Sequence, residues 1–154
     1  MISSESSAYS FADVYMAIVG PNIVDTVTGA GEEGITVAYD GDSAVLTMGA
    51  DGSGMYSMRV AQNGTITVRL LKGSPFNKVL SDNFWYQRGS TSLVGRNKLV
   101  ITNQAGQDLI TATGCGYRKH PNITYAVEGG VNEWEFLCQR IITRLGPGVA
   151  TQIG

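Results

Sequence analysis

The chain has 154 residues, a formal net charge of −2, 43% hydrophobic and 16% charged positions, and 20 glycines. That length suffices for one domain with a substantial core, and without an apolar run of about 18 residues no membrane insertion is expected. Near-neutral charge argues against a dedicated nucleic-acid binder, whose domain is net basic, and the irregular glycine spacing excludes collagen and suits turns between short strands.

Residues 1–10 are small and polar, and are expected to form a flexible arm on a single domain spanning 1–154. They lack the basic region and apolar stretch of a secretory signal. Phe11 to Val19 reads as a first strand, ended by Gly20-Pro21-Asn22, and Ile23 to Thr28 as a short second one. A loop rich in glycine and glutamate, Gly29 to Gly34, leads to a strand at Ile35 to Tyr39. Asp40-Gly41 is a turn signal, and Ser43 to Met48 is read as the returning strand.

The stretch from Gly54 to Gly89 carries the clearest pattern. Tyr56, Met58 and Val60 alternate with Ser57 and Arg59, and Ile66, Val68 and Leu70 with Thr65, Thr67 and Arg69. A period of two marks strands with one buried face. Asn63-Gly64 between them tolerates the positive φ of a tight turn, so a hairpin is expected. Ser74 then serves as N-cap with Pro75 at the first helical position. Phe76, Val79, Leu80 and Phe84 form one apolar stripe, so a helix is expected over 75–88 and Gly89 ends it.

Beyond the helix, Lys98 to Asn103 and Asp108 to Gly114 are expected to pair as strands across Ala105-Gly106-Gln107. Ile123 to Val127 reads as another short strand, and Glu133 to Arg144 as the last. In that last strand Trp134, Phe136, Cys138 and Arg140 alternate with Glu135, Leu137, Gln139 and Ile141, so apolar groups fall on both faces. The fold class expected is mainly β, two packed antiparallel sheets in a sandwich or barrel with one flanking helix.

Chemistry-bearing motifs are weak. Gly29-Ala-Gly31-Glu-Glu-Gly34 matches a dinucleotide-loop spacing, but two carboxylates sit where phosphates would lie and a strand follows instead of a helix. Asp40-Gly-Asp42 and Asp51-Gly-Ser53 lack the ligands of a calcium loop and read as turns. His120, the single histidine, has no clustered partner for metal binding or catalysis. No cofactor, metal or enzymatic activity is expected. Cys115 and Cys138 lie in apolar, strand-like surroundings and read as buried free thiols, with one disulfide as the alternative.

Charge is unevenly placed. Residues 1–58 hold eight acids (Glu5, Asp13, Asp25, Glu32, Glu33, Asp40, Asp42, Asp51) and no base, whereas Arg59 to Lys119 holds nine bases and two acids. Either both regions are simply solvated, or the acidic part of one copy meets the basic part of the next in a head-to-tail contact.

Several pieces, in order, resemble the small tail tube proteins of contractile-tailed bacteriophages. These are Ser10-Phe-Ala-Asp-Val-Tyr15, Gly49-Ala-Asp51-Gly-Ser-Gly-Met55, Asn63 to Pro75, and Tyr125-Ala-Val-Glu-Gly-Gly-Val-Asn-Glu-Trp134, within a likeness running from Ser10 to Leu145. The resemblance implies hexameric rings whose inner strands form one continuous barrel, stacked as a tube inside a contractile sheath. It implies no catalytic residues. It implies as partners other copies of the chain, the sheath, tape measure, baseplate and tail terminator proteins, and double-stranded DNA in transit. The place implied is the virion tail, assembled in the host bacterial cytoplasm. The type VI secretion tube protein shares that fold, so a tube of a related injection machine is the alternative, with a monomeric ligand-binding sandwich as a third reading.

On that reading the glycine-rich loops 22–34 and 49–54 are expected to meet neighbouring rings, and Asp25, Glu32, Glu33, Asp51, Arg59 and Arg69 to make contacts between subunits. Thr36, Ser57, Thr65 and Thr67 are expected to face the lumen. A lumen passing DNA should present few free bases, so Arg59 and Arg69 either pair with a neighbour's acids or lie on faces outside it.

Overall fold

The computed structural model describes residues 4–6, 14–28, 32–104, 106–147 and 151–153. In chain order the strands are β1 (Ser4–Ser6), β2 (Val14–Gly20), β3 (Ile23–Thr28), β4 (Glu32–Tyr39), β5 (Ala44–Met48), β6 (Gly54–Met58) and β7 (Gly64–Leu71). Helix α1 (Phe76–Arg88) and a single 3-10 turn (Thr91–Leu93) follow, then β8 (Asn97–Asn103), β9 (Asp108–Tyr117), β10 (Val131–Arg144) and β11 (Thr151–Ile153).

Seven strands form one antiparallel sheet in the order β3-β2-β8-β9-β10-β7-β4. The sheet curls so that its two leaves pack face to face. Met16, Ile18, Leu99 and Ala112 from one leaf share a core with Ile66, Val68, Leu70, Trp134 and Phe136 from the other. The result is sandwich-like and stays open, with β3 and β4 as the sheet's edges, so the barrel form of the expectation does not hold within the protomer. Helix α1 packs on the same core through Phe76, Leu80 and Phe84, as its stripe predicts. Pro75 is already helical (φ −65°, ψ −18°), and Ser74 Oγ accepts the Phe76 N–H at 3.4 Å.

The helix buries two amides that the apolar stripe does not announce. Gln87 Nε2 donates to Asn97 Oδ1 at 2.7 Å, and Asn97 Nδ2 returns a bond to Gln87 Oε1 at 3.0 Å. Asn83 Nδ2 donates to the Pro21 carbonyl at 2.7 Å, and the Tyr117 hydroxyl donates to Asn83 Oδ1 at 2.6 Å. Burial pushes the Tyr117 phenol well above its ordinary pKa, so it remains a donor. The network joins α1 to the β2–β3 turn, β8 and β9. At Gly20 a Cβ would stand 1.9 Å from Asn97 Oδ1, so glycine makes room for the amide.

Three sequence readings change. The Gly54–Leu71 stretch is no hairpin: β6 pairs with β5, and β7 lies between β4 and β10. Gly64 is not a turn residue but the buried first residue of β7, where a Cβ would stand 2.2 Å from the Ala38 carbonyl oxygen. Ser43 to Met48 therefore returns against β6 and not against β4. Residues 123–127 form no strand; the chain from 118 to 130 is irregular. In the arm expected to be flexible, Ser4–Ser6 pairs with Thr151–Ile153; residues 1–3 and 7–10 lie outside the described residues.

The double-sided apolar pattern of β10 has a local cause. Trp134, Phe136 and Cys138 point inward, but so does Ile141. Their partners in β9 switch face at the same level, from Ala112 to Cys115, around Gly114 at φ +64°. Both strands invert together, so the inward set changes from even to odd positions without loss of register.

Gly64→Ala is expected to destabilise the protein by about 2–3 kcal/mol, because the clash is with backbone; urea denaturation measures it. Asn97→Leu is expected to cost about 2 kcal/mol by leaving Gln87 buried without its partner. A loss below 0.5 kcal/mol on the same assay, about the size of a neutral surface change, would show that the amide network does not anchor the helix.

Candidate assembly surfaces

The β4–β7 ladder runs from Glu32↔Leu70 to Tyr39↔Gly64. The chain leaves it after Tyr39 and returns at Gly64, and the excursion between is the β5–β6 hairpin. Five register pairs hold that hairpin, from Ala44↔Met58 to Met48↔Gly54. Alternation puts Ala44, Leu46, Met48, Tyr56 and Met58 on one face, and all but the partly covered Ala44 are exposed. Tyr56 is 69% exposed, Met58 75% and Val60 94%. The sequence reading put these three in the protomer core; nothing among the described residues covers them.

The arm is nevertheless well fixed. At its root the Arg59 N–H donates to the Ser43 carbonyl at 2.8 Å and the Asp40 N–H to the Asn63 carbonyl at 3.1 Å. Arg59 Nη2 donates to Asn63 Oδ1 at 3.1 Å, and Asn63 Nδ2 to Asp40 Oδ2 at 2.8 Å. The guanidinium lies against Gly41, where a Cβ would stand 1.5 Å from Nη1. Tyr39 bridges from the ladder to β10, donating to the Ile141 carbonyl at 3.1 Å. At the tip, Asp51 Oδ1 accepts from Ser53 Oγ at 2.6 Å and from the Ser53 N–H at 3.0 Å. These bonds favour the charged form and hold the Asp51 carboxyl below its usual range.

A second surface is the outward face of β4, β7 and β10. Thr36 lies opposite Thr67, Thr67 opposite Glu135, and Arg69 opposite Glu133. Arg69 Nε approaches Glu133 Oε2 at 3.8 Å, and Arg118 Nη1 donates to Glu135 Oε2 at 2.9 Å. Two bases of this face are thus partnered within the same protomer.

The structure therefore divides the sequence-predicted residues. Thr36, Thr65, Thr67 and Arg69 share the β4–β7–β10 face. Ser57, Asp51 and Arg59 belong to the arm, at its middle, tip and root. Asp25 stands on edge strand β3, its carboxylate accepting from the Thr26 N–H. Glu32 and Glu33 open edge strand β4 at a bulge, their side chains outside the described set. Sequence reasoning missed the arm itself. Its signal was present: Asp51-Gly52 between two apolar runs is a hairpin signal as strong as Asn63-Gly64.

The remaining candidates are structural. His120 stacks on Trp85 with ring centroids 6.0 Å apart, and its Nε2 lies 3.1 Å from Ser81 Oγ. Among the described residues no group of three or more His, Cys, Asp and Glu gathers to hold a metal ion.

No curated protein sequence matches the chain. Solved structures share its fold. A chain of the extracellular contractile injection system PVC sheath–tube complex in the extended state aligns with TM-score 0.57 and 13% identity, over 90% of this chain and 92% of that one. A chain of the anti-feeding prophage tube-terminating cap aligns with TM-score 0.55 and 11% identity, over 95% and 96%. A chain of the anti-feeding prophage baseplate aligns with TM-score 0.58 and 12% identity, over 90% and 96%. The family model for the bacteriophage PhiTE tail tube protein matches residues 6–146, and the chain belongs to that family, a structural one of phage tails without enzymatic activity.

Proposed function

We propose that this protein forms hexameric rings that stack into the inner tube of a contractile phage tail, the conduit for genome delivery. The observation that carries the reading is the β5–β6 arm. Its apolar face is exposed and covered by none of the described residues, and a second copy of the chain is its natural cover. Contiguous exposed apolar surface on an ordered hairpin is an association surface. Asp51 at the tip offers a carboxylate to bases of the neighbouring ring, and Asp25, Glu32 and Glu33 on the edge strands serve contacts around the ring. Arg59 orients the arm from its root.

The β4–β7–β10 face suits a lumen, with Thr36, Thr65 and Thr67 as its hydroxyl lining and Arg69 neutralised by Glu133. Bases already partnered within the protomer give passing phosphates little to hold. Ser57, on the arm, is assigned to subunit contact instead. In this scheme the sheath surrounds the tube, a tape measure protein sets its length, and the terminator and baseplate close its ends. Assembly takes place in the host bacterial cytoplasm. The alternative, a tube of an injection machine, is favoured by the source of the solved neighbours, and their likeness extends to fold alone.

Purified wild-type protein is expected to form hollow tubes or six-membered rings in negative-stain electron microscopy; a strict monomer at high concentration would sink the proposal. Replacing Leu46 and Tyr56 together with lysine is expected to abolish tubes while moving protomer stability by less than about 0.5 kcal/mol, since both are surface positions in the protomer. Glu133→Gln with Glu135→Gln is expected to make tubes retain double-stranded DNA in a salt-dependent way, read by co-sedimentation. Equal retention by wild type and variant would remove this face from the lumen.

A further inference from the structure

The two cysteines are direct cross-strand partners, Cys138 of β10 opposite Cys115 of β9. Both are buried free thiols, and their sulfurs stand 3.2 Å apart in a thiol–thiol hydrogen bond. Residues directly opposed on antiparallel strands have Cα atoms about 4.5–5.5 Å apart, inside the range of about 4.4–6.8 Å that disulfides span. We propose that Cys115 and Cys138 are an oxidation site that closes to an intramolecular disulfide, with a peroxide as the oxidant.

The chemistry balances in two steps. The Cys115 thiolate attacks one peroxide oxygen, the O–O bond breaks, and the departing hydroxide takes up the thiol proton as water, leaving a sulfenic acid. The Cys138 sulfur then attacks the Cys115 sulfur, the S–O bond breaks, and a second water leaves with the Cys138 proton. Two thiols are oxidised by two electrons and one peroxide is reduced to two waters. A small neutral oxidant suits a pair that bulk solvent does not reach. The hydrogen bond shared with Cys138 lowers the Cys115 pKa against the opposing effect of burial, and the same bond with burial pushes Cys138 far up.

The location gives the bond a consequence. It would staple β9 to β10 beside Gly114, where both strands invert, and close a loop around the irregular stretch 118–130. In a reducing cell interior the thiols persist; outside it the staple forms. This inference is independent of tube assembly and is tested on the free chain.

The full-length protein, purified reduced, is treated with hydrogen peroxide, denatured, alkylated with N-ethylmaleimide and weighed by mass spectrometry. The expected product is a monomer lighter by two hydrogen atoms, without maleimide, with residues 115 and 138 linked in one peptide pair and both thiols restored by dithiothreitol. Two alkylated cysteines after peroxide, a disulfide-linked dimer, or sulfinic acid on either residue would each overturn it. Oxidised wild type is also expected to melt several degrees above the reduced form, with no such shift in the Cys115→Ala, Cys138→Ala double variant. A shift of the same size in that variant, or an oxidised form that melts no higher, would refute the staple.

Discussion

The fold depends on a small buried exchange of amides. Gln87 and Asn97 bond to each other in both directions, and Asn83 ties the same helix to the Pro21 carbonyl and the Tyr117 hydroxyl. Apolar contacts from Phe76, Leu80 and Phe84 attract the helix to the sheet without fixing its rotation or its position along its axis. Directional bonds among groups that cannot reach water fix both, because any displacement strands a buried donor or acceptor. The β2–β3 turn, β8 and β9 are thereby held at set distances from α1, beneath a sheet that curls around its apolar core.

That curvature decides which surfaces remain outside. The inward faces of the two leaves satisfy each other and the helix. The outward face of β4, β7 and β10 carries the hydroxyls of Thr36, Thr65 and Thr67, the exposed Leu137, and Arg69 beside Glu133. The β5–β6 arm is left with apolar side chains that none of the described residues covers. One chain thus presents a largely polar strand face and a projection whose apolar side chains stand exposed. In the proposed tube this division makes the wall adhesive between subunits through the arm and inert along its bore.

Much of this was legible in the sequence. The helix, β8, β9 and most of β10 follow from periodicity and turn residues. The pairing of β7 does not, because Asn63-Gly64 carries a local hairpin signal whatever its tertiary setting; Gly64 is there because β4 passes too close for a side chain. Alternation at Tyr56, Met58 and Val60 says that one face wants burial and cannot say that no described residue of the protomer covers it. Burial of Asn83, Gln87 and Asn97 has no local mark, since nothing in the neighbouring residues distinguishes a buried amide from an exposed one. The partnership of Arg69 with Glu133 becomes visible only once β7 and β10 are in register.

The arm's two-ended anchorage has a kinetic meaning. A hairpin pinned at its root by Asp40, Arg59 and Asn63 and closed at its tip by Asp51 is ordered before it meets anything. It surrenders little conformational freedom on docking, so most of the free energy from covering its apolar side chains remains as affinity. Under the proposed assembly, addition of a subunit resembles the seating of a rigid part more than folding on contact. In the proposed tube, growth speed would then be set by how often correctly oriented copies collide.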